Sequence, residues 1–210
     1  MNLHIEEMLS RFPVLSPCIE DMERAYDMIS TSFSSGGKLL LCGNGGSAAD
    51  AEHWAGELLK GFRKKRPLGG GVAHRLDPGT AVKLQGALPA IPLTGFLSFG
   101  TAFANDADPA FTFAQLVLAL GRPGDVLAGI STSGNAENVV NAVRTAKALG
   151  LGTLGLTGGS GGRLALSADI SIKAPATVVH EVQEYHVPVY HTICAMLEER
   201  FFPDPAGPAG

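Results

Sequence analysis

The sequence is poor in the features that mark several large classes of protein. Its cysteines are few, odd in number, widely spaced and set in apolar surroundings: Cys18, Cys42 and Cys194. A disulfide framework or a cysteine-based zinc site is therefore not expected. No apolar run reaches the length that crosses a membrane, and no basic segment followed by an apolar one opens the chain. These absences predict a reducing compartment, the cytoplasm, and no membrane partner.

Charged residues are also scarce, at 17% of the chain. The 20 acidic residues outnumber the 16 basic ones and give a formal net charge of -4, which argues against a nucleic-acid partner. One basic cluster, residues 63–66 (RKKR), is interpreted as the solvated end of a helix, with a phosphate or partner contact as the alternative. With 45% hydrophobic residues among 210, the chain is long enough for one well-filled core.

Strand and helix patterns alternate from residue 38 onward. Strands are predicted near 38–42, 89–94, 125–130, 152–156 and 169–173, and helices near 46–62, 108–120, 136–149 and 178–202. This alternation is typical of an α/β fold with a doubly wound, mainly five-stranded parallel sheet. Extra N-terminal helices, divided by Pro13 and Pro17, precede the sheet.

The chain divides into three segments. Residues 1–35 are predicted to form helices that pack on the domain and at a subunit interface, 36–202 the α/β domain, and 203–210 a flexible, proline-rich tail. Between Gly61 and Pro89 lies a Gly-rich stretch that is long for a connection in an α/β domain. We call it the excursion and expect it on the surface.

Two Gly/Ser-rich turns carry the strongest functional signal. Their sequences are GNGGS at 43–47 and STSGN at 131–135, and each follows an apolar strand-like run and opens a helical pattern. Strand ends of this kind meet at the ligand crevice of a parallel sheet. Glycines allow an anion to approach the backbone, while helix N–H groups and hydroxyls donate to it. The turns therefore predict a phosphate site, although either turn alone could be a tight connection only.

The phosphate is not expected to belong to a nucleotide. Neither turn is followed by Lys-Ser/Thr, and the G-x-G-x-x-G spacing is missing. A phosphate that is held by hydroxyls and amides, without a lysine or Mg²⁺, suits a monoester of a small molecule such as a sugar phosphate.

A second cluster of polar residues suggests a metal. His53 and Glu57 are four residues apart on one predicted helix face, which fits a metal pair or an ordinary surface pair. The last helix contains Gln183, His186 and His191, of which the first and third are eight positions apart on one side. Spacing does not choose between the two histidines, and either could be a core residue. Imidazole and oxygen ligands together suit Zn²⁺.

Five segments resemble the phosphoheptose isomerases of the sugar isomerase (SIS) superfamily. They are GNGGSAADAEHWAGEL at 43–58, AND at 104–106, STSGN at 131–135, LTG at 156–158 and QEYH at 183–186. The resemblance runs from about residue 20 to residue 202. It implies a three-layer αβα SIS fold, a homotetramer with active sites between subunits, and conversion of sedoheptulose 7-phosphate to D-glycero-D-manno-heptose 7-phosphate.

The resemblance also implies roles for individual residues. One zinc ion per subunit would be held by His53, Glu57, Gln183 and His191. Substrate contacts, together with Ser47 of the first turn, would be made by Asn44, Gly45, Gly46, Glu57, Asn105, Asp106, Ser131, Thr132, Ser133 and Gln183. An aldose-ketose interconversion through an enediol needs an acid and a base. We assign proton abstraction to Glu57 and proton delivery to His191, and the reverse assignment stays open.

Two departures from the family pattern leave other functions open. Ala136 follows the second turn where the family usually has serine, and the excursion is longer than in the best-known members. An isomerase of another ketose phosphate is one alternative. A non-catalytic SIS protein that binds a replication initiator, or a sugar-phosphate sensor, is another. The initiator-binding relatives have lost the residues that match Glu57 and His191, both of which are present here.

Overall fold

Five parallel strands form the centre of the protein. In the computed structural model, which describes residues 2–204, they are β1 (Leu39–Gly43), β2 (Ala90–Pro92), β3 (Val126–Ser131), β4 (Gly152–Gly158) and β5 (Ile170–Ala174). Their order across the sheet is β2-β1-β3-β4-β5, and all neighbours are parallel. The order changes direction between β1 and β3, which is where ligands bind in sheets of this type. The predicted five-stranded, doubly wound sheet is confirmed.

Helices cover both faces of the sheet. They are α1 (Leu3–Arg11), α2 (Ile19–Ser34), α3 (Gly46–Leu59), α4 (Gly70–Ala73), α5 (Pro78–Ala81), α6 (Leu97–Asp106), α7 (Thr112–Leu120), α8 (Glu137–Ala148), α9 (Gly162–Ser167) and α10 (Val179–Phe201). A 3-10 turn at Pro13–Cys18 separates α1 from α2, as the two prolines predicted. Within the described residues, no helix is both long enough and apolar enough to span a membrane.

The core has two layers because each strand buries side chains on both faces. In β1, Leu39 and Leu41 pack with residues of α2, α3 and α10, whereas Leu40 and Cys42 pack with residues of α7 and α8. All five residues of β1 are buried, which is the continuous apolar pattern expected of a parallel sheet covered on both sides. The helices of 2–34 join the first of these layers. The result is the predicted three-layer αβα arrangement.

Helix α6 was not predicted. Its sequence, LSFGTAFAND, is largely apolar, yet none of its residues is buried. Leu97 is 76% exposed, whereas Phe99 is half-buried, packs against the core layer of α7 and α8, and stacks on Phe103 of the same helix, with ring centroids 5.5 Å apart. A largely apolar helix that buries none of its residues fully in a single chain is typical of surfaces that contact another protein.

The interpretation of the basic cluster was wrong. Helix α3 ends at Leu59, before the cluster begins. Arg66 is fully buried and donates from Nε to Glu198, at 2.7 Å, and from its two terminal nitrogens to the carbonyl oxygens of Glu57 and Leu58. Glu198 also accepts hydrogen bonds from the backbone N–H groups of residues 62 and 63. Arg66, with Glu198, therefore forms an internal clamp on the end of α3, whereas Arg63 and Lys65 of the cluster are exposed.

The excursion lies on the surface, as predicted, but both of its ends are fixed. Leu88 N–H donates to the Leu58 carbonyl at 2.9 Å, and Gly86 N–H donates to the Arg66 carbonyl at 3.0 Å. Between these points the chain forms the short helices α4 and α5, and residues 71–85 include no buried residue.

Candidate functional site

The two Gly/Ser-rich turns lie side by side. Gly43 at the end of β1 pairs in parallel register with Ile130 of β3, so both turns leave the same edge of the sheet. A cleft of about 180 Å³ opens between them. It is lined by Asn44, Ser47, Ile130, Ser131, Thr132, Ser133 and Ala136. The sequence prediction that these turns form one polar site agrees with this geometry.

Backbone geometry orients the cleft. Gly45 has a φ of 56° and Gly134 a φ of 66°, the left-handed region in which a side chain would be strained. Helix α3 begins directly after the first of these glycines, and its first turn borders the cleft through Ser47, whose N–H donates to the Asn44 carbonyl oxygen at 3.0 Å. Ala136 is the N-cap of α8 and makes no side-chain hydrogen bond. Compared with a serine at this position, alanine lacks a hydroxyl that could both cap α8 and donate to a ligand in the cleft.

Asn138 contributes to this site and was missed. Its side-chain amide exchanges two hydrogen bonds with that of Asn44, at 2.8 and 2.9 Å. The pair joins the first turn to the first helical turn of α8 and so fixes the spacing of the two sides of the cleft. The signal available in the sequence was an amide three residues after the second turn, which is a common helix-start pattern and carries little information alone.

Three of the four predicted metal ligands come together. His53 Nε2 lies 3.2 Å from Glu57 Oε1 and 3.3 Å from His191 Nε2. One ligand atom from each residue lies within 4.8 Å of the others. Two nitrogens bound to a tetrahedral zinc ion at about 2.0–2.1 Å would be separated by about 3.3 Å, so the imidazole pair fits this ion. We call these three residues the triad.

Electrostatics at the triad favour metal binding. Burial alone would raise the pKa of Glu57, but the Lys60 ammonium, 2.9 Å from Oε2, and the neighbouring His53 outweigh it and hold that pKa below its ordinary value. Burial, assisted by His53, lowers the pKa of His191. Near neutral pH the triad therefore offers a carboxylate and a neutral imidazole, which are the forms that bind metals.

Geometry separates the two histidines that spacing left open. His186 is fully buried, and its Nε2 lies 3.2 Å from the Thr157 carbonyl oxygen of β4. Its Nδ1 faces the Asp50 carboxylate at 3.8 Å. His186 is thus a core residue, and His191, which lies on another side of α10, reaches the triad.

Gln183 lies at the other end of the site. Its side-chain amide packs closely on Gly46, and a Cβ at that position would force the amide to move. Helices α3 and α10 run side by side in the same direction, since Gln183 meets Gly46 and His191 meets His53. Seven residues of helix, about 10 Å, separate Gly46 from His53. The structure therefore places Gln183 at the start of α3 rather than beside the triad, and its assignment as a metal ligand stays a prediction.

Asn105 and Asp106 line neither the cleft between the two turns nor the second cavity of the protein, which reaches His191. They end α6, are exposed, and hydrogen-bond to each other at 2.9 Å. This second cavity, of about 220 Å³, reaches His191 from the side of α1 and is partly walled by Phe62 and Arg63. Residues 67–88 of the excursion line neither cavity, so only its first residues contribute to this region in a single chain.

Comparison with known proteins identifies the family. The SIS domain family matches residues 6–158. A phosphoheptose isomerase from Roseiflexus sp. is 42% identical over 176 residues, which are 84% of this chain and 80% of the relative. A probable phosphoheptose isomerase from Thermoplasma acidophilum is 42% identical over 183 residues, or 87% and 90% of the two chains. The chain belongs to the phosphoheptose isomerase family.

Solved phosphoheptose isomerases have the same fold. The structure from Neisseria gonorrhoeae is 32% identical, with a TM-score of 0.75 over 93% of this chain and 95% of that chain. The structure from Francisella tularensis is 30% identical, with a TM-score of 0.77 over 93% and 94%. The predicted SIS fold, family and enzyme class are confirmed. A non-catalytic partner-binding protein or a sensor is not favoured.

Proposed function

We propose that this enzyme interconverts sedoheptulose 7-phosphate and D-glycero-D-manno-heptose 7-phosphate, as a homotetramer with one zinc ion per subunit. The proposal rests on the position of α3, which runs from the cleft to the triad. Its first turn borders the hydroxyl-lined cleft, and His53 and Glu57 follow further along the same helix. Gly46 and His53 are about 10 Å apart along the helix axis, a separation that an extended seven-carbon sugar phosphate spans.

The side chains present account for the proton transfers. With the phosphate in the cleft, the carbonyl end of the sugar lies toward the triad. Glu57, a carboxylate with a depressed pKa, accepts the proton that leaves carbon 1, and the enediol forms. Glu57 passes this proton to oxygen 2, which completes the enediol. His191 takes up the proton of the oxygen 1 hydroxyl and delivers a proton to carbon 2 to give the aldose, and the reverse reaction uses the same groups in opposite roles. Zinc, when bound by the triad with Gln183 as the predicted fourth ligand, would supply polarisation of the carbonyl and hydroxyl oxygens.

Helix α6 supports the homotetramer. Its exposed apolar residues would be removed from water by a second subunit, and the same contact would carry Asn105 and Asp106 toward a neighbouring cleft. Light scattering during size exclusion measures the assembly, and a monomer at assay concentration would contradict it. The cytoplasm remains the expected compartment, because Cys18, Cys42 and Cys194 are all buried free thiols.

The function is tested by incubating zinc-loaded protein with sedoheptulose 7-phosphate in D₂O and resolving the products by NMR. We expect the aldose product, with deuterium on the carbon that gains the proton, to an extent limited by how well the site excludes solvent. Binding without conversion or exchange would refute an isomerase. Ala136 makes other ketose phosphates worth testing. Turnover of one of them would support the same mechanism and change only the proposed substrate.

Phosphate binding should depend on the second turn. Loss of one hydrogen bond to a charged group costs about 1.5–3 kcal/mol, so Ser133→Ala should weaken sugar-phosphate binding roughly 10- to 100-fold. Ser10→Ala, on the exposed side of α1, is the control and should bind like the original protein. Isothermal titration measures both. Unchanged affinity in Ser131→Ala and in Ser133→Ala would reject this turn as the anchor.

A further inference from the structure

Tyr190 connects the triad to a buried carboxylate. Its hydroxyl oxygen lies 2.8 Å from His53 Nδ1 and 3.5 Å from Asp50 Oδ1. The tyrosine side chain is fully buried and stacks on Trp54, with ring centroids 5.6 Å apart and planes 15° apart. The hydroxyl is thus held by packing at the one nitrogen of His53 that faces away from Glu57 and His191.

We propose that Tyr190 and Asp50 are positioning residues that keep the metal-binding lone pair of His53 on Nε2. The proposal rests on the proposed zinc site. A histidine that binds a metal through one nitrogen usually donates the N–H of its other nitrogen to an oxygen acceptor, which fixes the tautomer and the ring orientation. Here the acceptor is a tyrosine hydroxyl.

Asp50 sets the direction of these hydrogen bonds. A tyrosine hydroxyl has one proton to donate, and it could donate it either to the carboxylate or to His53 Nδ1. Because the Asp50 carboxylate only accepts, the hydroxyl donates to it, and the hydroxyl oxygen then accepts from the N–H at His53 Nδ1. Without the carboxylate the hydroxyl could donate to Nδ1. The proton of the ring would then be on Nε2, the atom that faces the other two members of the triad.

A competing role for Asp50 involves His186. The second carboxylate oxygen, Oδ2, and His186 Nδ1 are buried, have no hydrogen-bond partner in the described structure, and lie 3.8 Å apart. Asp50 could therefore serve only to hold α3 against α10. The two roles predict different zinc affinities for a variant in which both Asp50 and Tyr190 are substituted. If Asp50 acts through Tyr190, then Asp50→Asn should change zinc affinity little once the tyrosine hydroxyl is absent.

The test measures zinc affinity by competition with a chromogenic chelator. Tyr190→Phe keeps the buried ring and removes the hydroxyl, and we expect zinc to bind about 10- to 100-fold more weakly. Tyr26→Phe, a half-buried tyrosine on α2 of the same core layer, is the matched control. NMR of protein with ¹⁵N-labelled histidine should find His53 protonated at Nδ1 in the original metal-free protein and shifted toward Nε2 protonation in Tyr190→Phe. Circular dichroism should give similar melting temperatures for both metal-free variants.

The outcomes separate this proposal from the zinc site itself. Full zinc content in His53→Ala would overturn the zinc site and, with it, the positioning role. Loss of zinc in His53→Ala, but equal zinc affinity in Tyr190→Phe and Tyr26→Phe, would overturn the positioning role alone. A fall in zinc affinity in Tyr190→Phe without a change in the tautomer of His53 would also overturn the positioning role, because a purely structural effect would then be responsible.

Discussion

We expect Glu57→Gln to remove turnover of the sugar phosphate while leaving much of its binding in place. The glutamine keeps the size and polarity of the side chain but accepts no proton from carbon. General base catalysis contributes about 10²- to 10⁴-fold to the rate, so kcat should fall by a factor of at least about 10². The phosphate cleft is unchanged by the substitution, and titration with the sugar phosphate should therefore still detect binding.

The matched control for this experiment is Glu52→Gln. Glu52 lies on the same helix and is exposed, so the same chemical change there should leave kcat unaltered. Because Glu57 is also a proposed zinc ligand, both variants are assayed in excess zinc and their metal content is measured. A Glu57→Gln enzyme that retains the original kcat would show that another group is the base and would redirect the assignment to His191.

The second large effect concerns the clamp formed by Arg66 and Glu198. Both side chains are almost fully buried, with exposures of 0% and 2%. Arg66→Met would leave a buried carboxylate without its cation and would remove one hydrogen bond from each of the carbonyl oxygens of Glu57 and Leu58. Removal of one partner from such a pair typically lowers the free energy of unfolding by about 3–5 kcal/mol. Denaturant titration of the two proteins measures the difference.

The exposed ion pair of Arg24 and Asp21 provides the control. These side chains are 52% and 33% exposed, so Arg24→Met should cost less than about 1 kcal/mol. Equal losses of stability in Arg24→Met and Arg66→Met would contradict the clamp.

The clamp should also make stability depend on pH. Burial opposes ionisation of Glu198, but backbone N–H groups and the Arg66 guanidinium outweigh it and lower the pKa below the ordinary value of 4.5. A carboxyl group whose pKa is depressed in the folded state contributes stability that is present above its unfolded pKa and lost as the pH falls through its folded pKa. The stability gap between the original protein and Glu198→Gln should therefore narrow below pH 4.5.

The parts of the fold that could be predicted are those with local signals. The strands are short apolar runs between turns, and the two functional turns combine glycines, hydroxyls and a following helix. Helix α6 lacks such a signal, because none of its apolar residues is fully buried in the chain and Gly100 interrupts them. The burial of Arg66 depends on Glu198, which is 132 positions away in the sequence, and no local pattern reveals that pairing.

Prediction of the site from local sequence signals has the same limit. His186 and His191 lie on one helix and differ only in which neighbour they face: a strand carbonyl for the first and α3 for the second. The helix containing both could be predicted, whereas the elements packed against each side of it could not. Tyr190 precedes His191 directly, yet its contact with His53 arises only when α3 and α10 pack together.

The fixed ends of the excursion bear on how this enzyme can tolerate changes of length. Gly61 N–H is held by Gln85 Oε1, at 2.9 Å, and Leu88 N–H by the carbonyl of Leu58, so the two ends meet at the end of α3 regardless of what lies between them. Doubling the length of a flexible loop costs only about 0.6 kcal/mol. The region of 71–84 is therefore a permissive place for inserted epitopes, labels or surface anchors, and its length can change without displacing Glu57.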